Sequence, residues 1–304
     1  MTLPNSGPHM RKCMNGCYPL RRLSRVGHRL RVSGPTELLH ERRKIQDFLH
    51  PLPSRPVIDQ TPQRRFTYVD FILVFAAGLL TSIIATIAAV AAGAIPLDEL
   101  TTGIPSRAVF WIILPAQVFG QLLALAWIAQ RKATGKLSTD YGLLVKIRDI
   151  WYLLVGGALL IGLGLALSPL AQALGIDQSP QDVVQAVAGV SDAASRIVVL
   201  LGVVVLSPVI EELWFRGLLL RTLLQKRSVV SAIIIQALVF AAFHLLDAGA
   251  IQAAAVVIPE LFIVGSILGY LAVRSGNLSR SIFTHAGFNL ITTLALFYAP
   301  NLPF

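Results

Sequence analysis

Seven apolar segments, separated by polar connections, follow one another from residue 68 to the carboxyl terminus. Each is close to the roughly 20 residues that a helix needs to cross a bilayer, and none alternates as a barrel strand does. The segments are 68–94, 108–130, 151–174, 197–224, 229–246, 254–273 and 282–299. The pattern predicts an all-α membrane protein, a polytopic helical bundle of about seven transmembrane helices.

The first 66 residues have a different pattern, with frequent arginine and proline and no sustained apolar period. They carry 13 of the 26 Lys and Arg residues, the last of them at Arg65. We expect residues 1–66 to be a basic, disordered cytoplasmic leader that touches anionic lipid headgroups, and residues 67–304 to be the helical membrane domain. The arginines also resemble those of an organelle transit peptide, which leaves a plastid membrane as the alternative location.

Composition agrees with a membrane protein, because 55% of the residues are hydrophobic and only 14% are charged. The net charge of +10 is concentrated in the leader, so it predicts a lipid bilayer as partner and no nucleic acid. Two cysteines are too few for a disulfide framework. A zinc site in the leader would need Cys13, Cys17, His9 and His28, whose spacing is not a standard one.

The connections between segments predict the orientation of the chain. Residues 131–150 hold five Lys and Arg, whereas residues 175–195 hold three Asp and no base before Arg196. With the leader inside, every cluster of basic residues lies on one side of the membrane, and only Arg107 and Arg196 lie on the other. We therefore expect a multi-pass protein of the cell membrane with a cytoplasmic amino terminus.

Three ionisable residues, Glu211, Glu212 and Arg216, interrupt the fourth apolar segment. A charge at the centre of a bilayer costs about 2.5–3.5 kcal/mol or more, so such residues indicate a functional site. Glu212 and Arg216 are four residues apart and can pair on one helix face, while Glu211 lies about 100° away and stays free. The alternative is a purely structural network of all three. Ser207, before Pro208, is expected to cap a half-helix that begins there.

Two histidines lie in later apolar segments, and each shares a helix face with a partner four residues away: Phe240 with His244, and His285 with Asn289. We expect these side chains to form a polar pocket with the acids. In the predicted topology His285 begins its helix near the cytoplasm, while His244 lies about 22 Å along its own helix. Tilt, a long cytoplasmic extension of the fifth helix, or a re-entrant region around Pro259 has to reconcile these depths.

This set of side chains predicts hydrolysis of an acyl bond. Glu211 and His244 can hold and deprotonate a water molecule. His285 and Asn289 offer N–H donors for the oxyanion of a tetrahedral intermediate. Two other chemistries remain open: a proton relay through Glu211 and His244 in a transporter, and a zinc site with Glu211, His244 and His285 as ligands.

Three short motifs, on late helices and in this order, resemble those of the CAAX prenyl protease 2 family. This group includes the bacteriocin-processing and self-immunity proteins called CPBP or Abi proteins. The motifs are Glu211-Glu212-x-x-x-Arg216, Phe240-x-x-x-His244 and His285-x-x-x-Asn289. The resemblance covers roughly residues 150–299, and members often have eight membrane helices, which makes eight the alternative to seven.

The resemblance implies a glutamic intramembrane endopeptidase without a cofactor. Glu211 is then the general base, His244 positions the water, and His285 and Asn289 stabilise the oxyanion. Glu212 and Arg216, with Phe240, are structural support. The implied substrate is a membrane-associated peptide or protein, prenylated in eukaryotic members. A catalytically idle scaffold or bacteriocin-immunity protein is the alternative function.

Overall fold

The structure is a computed structural model that describes residues 66–96, 108–175, 192–246 and 254–298, together with residues 187 and 190. All of them belong to one unit of the chain, Leu52–Phe304. The leader predicted for residues 1–66, including the residues of the hypothetical zinc site, lies outside the described residues except for Phe66.

The described residues are helical and contain no strand, which confirms the predicted all-α fold. One helix corresponds to each predicted apolar segment. They are α1 (Tyr68–Ala91), α2 (Leu114–Lys132), α3 (Tyr152–Ala173), α4 (Ala193–Leu224), α5 (Val229–Phe243), α6 (Ala254–Ser275) and α7 (Ser279–Tyr298). Shorter elements are a π-helical turn before α2 (Val109–Ile113), a one-turn helix (Leu137–Asp140), and 3-10 turns before α3 (Ile147–Asp149) and after α5 (His244–Leu246).

Five helices in the described part of the chain are long and apolar enough to cross a membrane, against a predicted count of seven. They are Tyr68–Ala91, Val109–Lys132, Ile147–Ala173, Ala193–Leu224 and Ala254–Ser275. Helix α5 is apolar but has only 15 residues. Helix α7 has the length, but polar side chains such as His285 and Asn289 lower its hydropathy. The polytopic membrane bundle is therefore confirmed.

Helix α4 lies at the centre of the packing. All nine residues of its π-helical part, Glu212–Leu220, are buried. Trp214 stacks on Phe71 of α1, with ring centroids 4.7 Å apart, and its indole N–H donates to the Phe71 carbonyl at 2.9 Å. Phe243 of α5 meets the Trp214 ring edge-on at 5.0 Å. The segment that contains the Glu-Glu-Arg sequence is thus enclosed by neighbouring helices.

The start of α7 is fixed by the connection between α2 and α3. The Leu278 amide donates to the carbonyl of Gly142 at 2.9 Å, and the Lys146 amide donates to the hydroxyl of Ser279 at 2.9 Å. Gly142 has a φ of 76°, a conformation that glycine adopts without steric cost. These bonds set the position along the bundle at which α7 begins, and hence the depth of His285.

Helices α3 and α7 cross at very close range. A Cβ atom added to Gly156 of α3 would overlap the Thr284 carbonyl, and one added to Gly287 of α7 would overlap the Leu153 carbonyl. Small residues allow such backbone contact between membrane helices. Because Thr284 and Gly287 flank His285 and Ala286, this crossing also fixes the position of the His285 imidazole.

Substituting Gly156 with alanine is expected to destabilise the protein by about 1–3 kcal/mol, because the new methyl group forces α7 away from α3. The measurement is the thermal unfolding temperature in detergent. Gly162→Ala is the matched control, since it lies on the same helix and a Cβ there meets no atom within 4 Å. Equal unfolding temperatures for the two variants would show that the crossing tolerates a methyl group.

Candidate active site

The predicted pair of Glu212 and Arg216 forms inside the bundle, and both side chains are fully buried. Arg216 Nη1 donates to Glu212 Oε1 at 2.9 Å. The other terminal nitrogen donates to the Gly265 carbonyl of α6 at 3.3 Å, and the guanidinium carbon lies 4.4 Å from the centroid of the Phe240 ring. Arg216 therefore links α4, α5 and α6, as a structural residue does.

His285 of α7 bridges the two glutamates. Its Nδ1 lies 3.1 Å from Glu212 Oε1, and its Nε2 lies 3.7 Å from Glu211 Oε2. A carboxylate paired with arginine only accepts hydrogen bonds, so Nδ1 carries a hydrogen. The imidazole is nearly buried, with 6% of its side chain exposed, whereas that of Glu211 is 22% exposed. Nε2 is thus the nitrogen available for chemistry.

Glu211 differs from Glu212 in having no cationic residue as a close partner. Its Oε1 accepts a hydrogen bond of 2.5 Å from the hydroxyl of Ser207, one turn earlier on α4. Its Oε2 is buried and has no hydrogen-bond partner among the described residues. One oxygen is therefore held, and the other faces the His285 imidazole.

Phe240 lies against both membrane histidines. The ring centroids of Phe240 and His244 are 4.7 Å apart, and those of Phe240 and His285 are 6.0 Å apart. His244 Nδ1 donates to the Phe240 carbonyl at 2.8 Å, which leaves Nε2 as an acceptor in the neutral ring. Both histidines therefore lie beside one aromatic ring, which reconciles the depths that counting residues from the helix ends placed far apart.

No hydrogen bond or ion pair between His244 and Glu211 occurs in the described part of the chain. His285 is the imidazole that approaches Glu211, at 3.7 Å. His244 begins the 3-10 turn that ends α5 and is half-buried. A shared water between Glu211 and His244 stays a prediction.

Asn289 is held by a backbone carbonyl of α4. Its Nδ2 donates to the Val203 carbonyl at 2.9 Å. In this π-helical stretch the Ser207 amide donates to Gly202, so Val203 would receive the amide of Pro208, which has none. Asn289 thus satisfies an acceptor that the proline leaves open. One amide hydrogen of Asn289 remains for another acceptor.

The expected break of α4 at Pro208 is wrong. Ser207 has helical dihedral angles, φ −60° and ψ −51°, and the helix continues through the proline. The π-helical turns of Leu200–Leu206 absorb the missing amide, as membrane helices do when neighbours satisfy the freed backbone. Ser207 therefore does not cap a half-helix, and its hydroxyl bonds to Glu211 instead.

The four ionisable side chains of the cluster balance in charge when His285 is protonated. Arg216 contributes one positive charge, and Glu211 and Glu212 contribute two negative charges. Burial of an unbalanced charge is costly, and the Glu212–Arg216 pair already balances within itself. The remaining acid, Glu211, faces the His285 imidazole at 3.7 Å, and a carboxylate beside an imidazole provides the groups that acid–base catalysis uses.

Side chains that could bind a metal ion are not clustered in the part of the chain that the structure describes. Within the described ranges, no set of three His, Cys, Asp or Glu side chains is placed to hold a metal ion. The zinc alternative stays open to the chelation experiment described below.

The sequence around these residues matches a known family. Residues 193–291 match the family model described as type II CAAX prenyl endopeptidase, Rce1-like. The match lies inside the predicted core of residues 150–299 and contains all seven predicted site residues. The resemblance inferred from the three motifs is thereby confirmed for this segment, and it supports a CAAX-protease-like intramembrane peptidase in general. Neither the curated proteins nor the solved structures give a significant match to the chain.

Three hydrogen bonds within residues 193–291 were not predicted from the sequence. The Ser207 hydroxyl donates to Glu211, the Asn289 amide donates to the Val203 carbonyl, and Arg216 donates to the Gly265 carbonyl. The contact of Ser207 with Glu211 could have been predicted, because the two residues are four positions apart and share a helix face. Pro208 indicated that a backbone carbonyl in the preceding turn would need another donor, which is the role that Asn289 has at Val203. Nothing in the sequence signals the Gly265 contact, because any residue offers a carbonyl.

Proposed function

We propose that the chain is an intramembrane endopeptidase in which Glu211 removes a proton from water as that water attacks a peptide carbonyl. The observation that carries the proposal is the free Oε2 of Glu211, 3.7 Å from His285 Nε2 and beside a separately neutralised Glu212–Arg216 pair. In the proposed reaction a water enters beside these two atoms and lies about 2.8 Å from each. The proposed base, Glu211, is therefore a different residue from Glu212, which pairs with Arg216 between the helices.

In the proposed reaction the water oxygen bonds to the carbonyl carbon and its proton goes to Glu211 Oε2. His244 helps to hold this water. The carbonyl oxygen becomes an oxyanion that receives N–H donation from His285 Nε2, when protonated, and from the second amide hydrogen of Asn289. The proton on Glu211 then passes to the leaving nitrogen as the carbon–nitrogen bond breaks. The products are a carboxylic acid and an amine, and the acid then loses its remaining proton to the amine or to solvent water.

The Glu212–Arg216 pair has a supporting role in this scheme. Glu212 accepts from His285 Nδ1 and so presents Nε2 toward Glu211, as the buried acid of a catalytic triad orients its histidine. Arg216 neutralises Glu212, and the face of Phe240 packs on the guanidinium. This arrangement keeps the imidazole in one orientation without placing a second free acid in the site.

The proposed substrate is a peptide or protein segment attached to the membrane. The printed family description names prenyl endopeptidases, so a prenylated carboxyl-terminal tail is the substrate class to test first. The basic residues of the leader and of residues 131–150 favour a cytoplasmic amino terminus in the cell membrane, with a plastid membrane as the alternative. No cofactor is needed, and a chelator that stops cleavage, with activity restored by zinc, would favour the metal alternative.

The experiment compares the ends of membrane proteins in cells that carry wild type, Glu211→Gln or Glu260→Gln. Glu260 is the matched control, an acid in the apolar helix α6 that is outside the cluster. We expect a set of new ends with wild type and Glu260→Gln and their loss with Glu211→Gln. Identical ends in all three, at equal protein amounts, would favour an idle scaffold or immunity protein.

A further inference from the structure

We propose that Ser207 is a positioning residue that fixes the Glu211 carboxylate and selects Oε2 as the atom that takes the proton. This inference rests on the proposed function of Glu211 as the base. The Ser207 hydroxyl donates to Glu211 Oε1 at 2.5 Å, within the short range of hydroxyl–carboxylate bonds. Ser207, the donor of this bond, lies outside the three sequence motifs.

The two oxygens of Glu211 are thereby made different. Oε1 accepts from Ser207, whereas Oε2 is buried without a hydrogen bond and lies 3.7 Å from His285 Nε2. A carboxylate without the bond from Ser207 could turn its plane so that neither oxygen is directed at the imidazole. The bond to Ser207 restricts that rotation and keeps the other oxygen, Oε2, directed at His285.

Other helical hydroxyls in the described residues bond differently. Hydroxyls in helices commonly donate to the carbonyl four residues earlier. Five residues of this chain do so: Thr81, Thr86, Thr222, Ser275 and Thr292. Ser207 instead donates forward, to the carboxylate four residues later. Its orientation is therefore specific to the site.

The backbone next to Pro208 offers the alternative acceptor for this hydroxyl. The carbonyl four residues before Ser207 is that of Val203, which accepts from the Asn289 amide at 2.9 Å. A carbonyl oxygen has two lone pairs, so the Asn289 bond alone does not exclude the Ser207 hydroxyl. The hydroxyl donates to Glu211 instead, and hydrogen bonds to a charged carboxylate are stronger than those to a neutral carbonyl.

A base that loses this bond samples unproductive orientations, and small misplacements of reacting groups cost about 100-fold in rate. We expect Ser207→Ala to lower kcat about 10- to 100-fold with little change in KM, since Ser207 acts through Glu211 and not on the substrate. Ser207→Thr keeps the hydroxyl and should retain most of the rate. Ser207→Val has the same shape as Ser207→Thr without the hydroxyl and should resemble Ser207→Ala.

The experiment measures kcat and KM of the purified full chain in detergent with a peptide ending in a farnesylated Cys-a-a-X sequence. A rate that falls in Ser207→Val but not in Ser207→Thr supports the inference. Equal rates for these two variants overturn it, even where Ser207→Ala folds poorly. If Glu211→Gln is inactive and Ser207→Val is fully active, the inference fails alone. If wild type and Glu211→Gln release product at equal rates, the proposed function fails with it.

Discussion

Replacing Arg216 with alanine is expected to lower the free energy of unfolding by about 3–5 kcal/mol, the cost of leaving one partner of a buried ion pair without the other. Glu212 has a fully buried side chain and would lose the arginine that balances its charge, although His285 would still contact it. The substitution also removes the bond to the Gly265 carbonyl and the packing on Phe240. The measurement is the amount of protein in the membrane and its thermal unfolding temperature in detergent.

A double variant separates the missing charge from the missing packing. In Glu212→Gln/Arg216→Met both charges are removed and side chains of similar volume remain, which is often close to neutral for a buried pair. We therefore expect this variant to be more stable than Arg216→Ala. If Arg216→Ala unfolds at the wild-type temperature, the pair does not hold α4, α5 and α6 together.

The hydrophobic pattern predicts the helices well because a membrane requires long apolar segments with all backbone groups bonded internally. The fourth segment shows both the strength and the limit of this argument. Its helical character was predictable, and so was the pairing of Glu212 and Arg216 from their spacing. Its passage through Pro208 was not, because π-helical turns depend on acceptors and donors from other helices.

The depth of the two histidines shows what a pattern cannot provide. Counting residues from the helix ends separated His244 from His285 by much of the membrane thickness, whereas both contact the ring of Phe240. Tilt and crossing depend on close contacts such as that of Gly156 with Thr284. Glycines are visible in the sequence, but the partner that each one meets depends on the three-dimensional packing.

The pairing of Glu212 with Arg216 could be predicted from the sequence, but the position of His285 between the two acids could not. Spacing alone predicted that Glu211 stays free of the arginine. The structure adds His285 between the two carboxylates, which the motifs do not indicate because Glu212 and His285 are 73 residues apart. The roles of His244, His285 and Asn289 in the reaction stay predictions.

The Glu211→Gln variant is expected to lose peptide hydrolysis by about 10²–10⁴-fold, the usual contribution of a general base. Glutamine keeps the size of the side chain and an acceptor for the Ser207 hydroxyl, but it cannot take a proton from water. KM should change little, because the substrate is bound by other groups. Glu260→Gln, the same substitution outside the cluster, should retain the wild-type rate.

The decisive measurement is therefore the initial rate of cleavage by the purified full chain, for wild type, Glu211→Gln and Glu260→Gln at equal unfolding temperatures. The substrate is a farnesylated Cys-a-a-X peptide. The alternative is the tail of a membrane protein that is cut in cells with wild type and not cut in cells with Glu211→Gln. The account predicts cleavage by wild type and Glu260→Gln and a rate for Glu211→Gln at least about 100-fold lower. Cleavage by Glu211→Gln at the wild-type rate would contradict it.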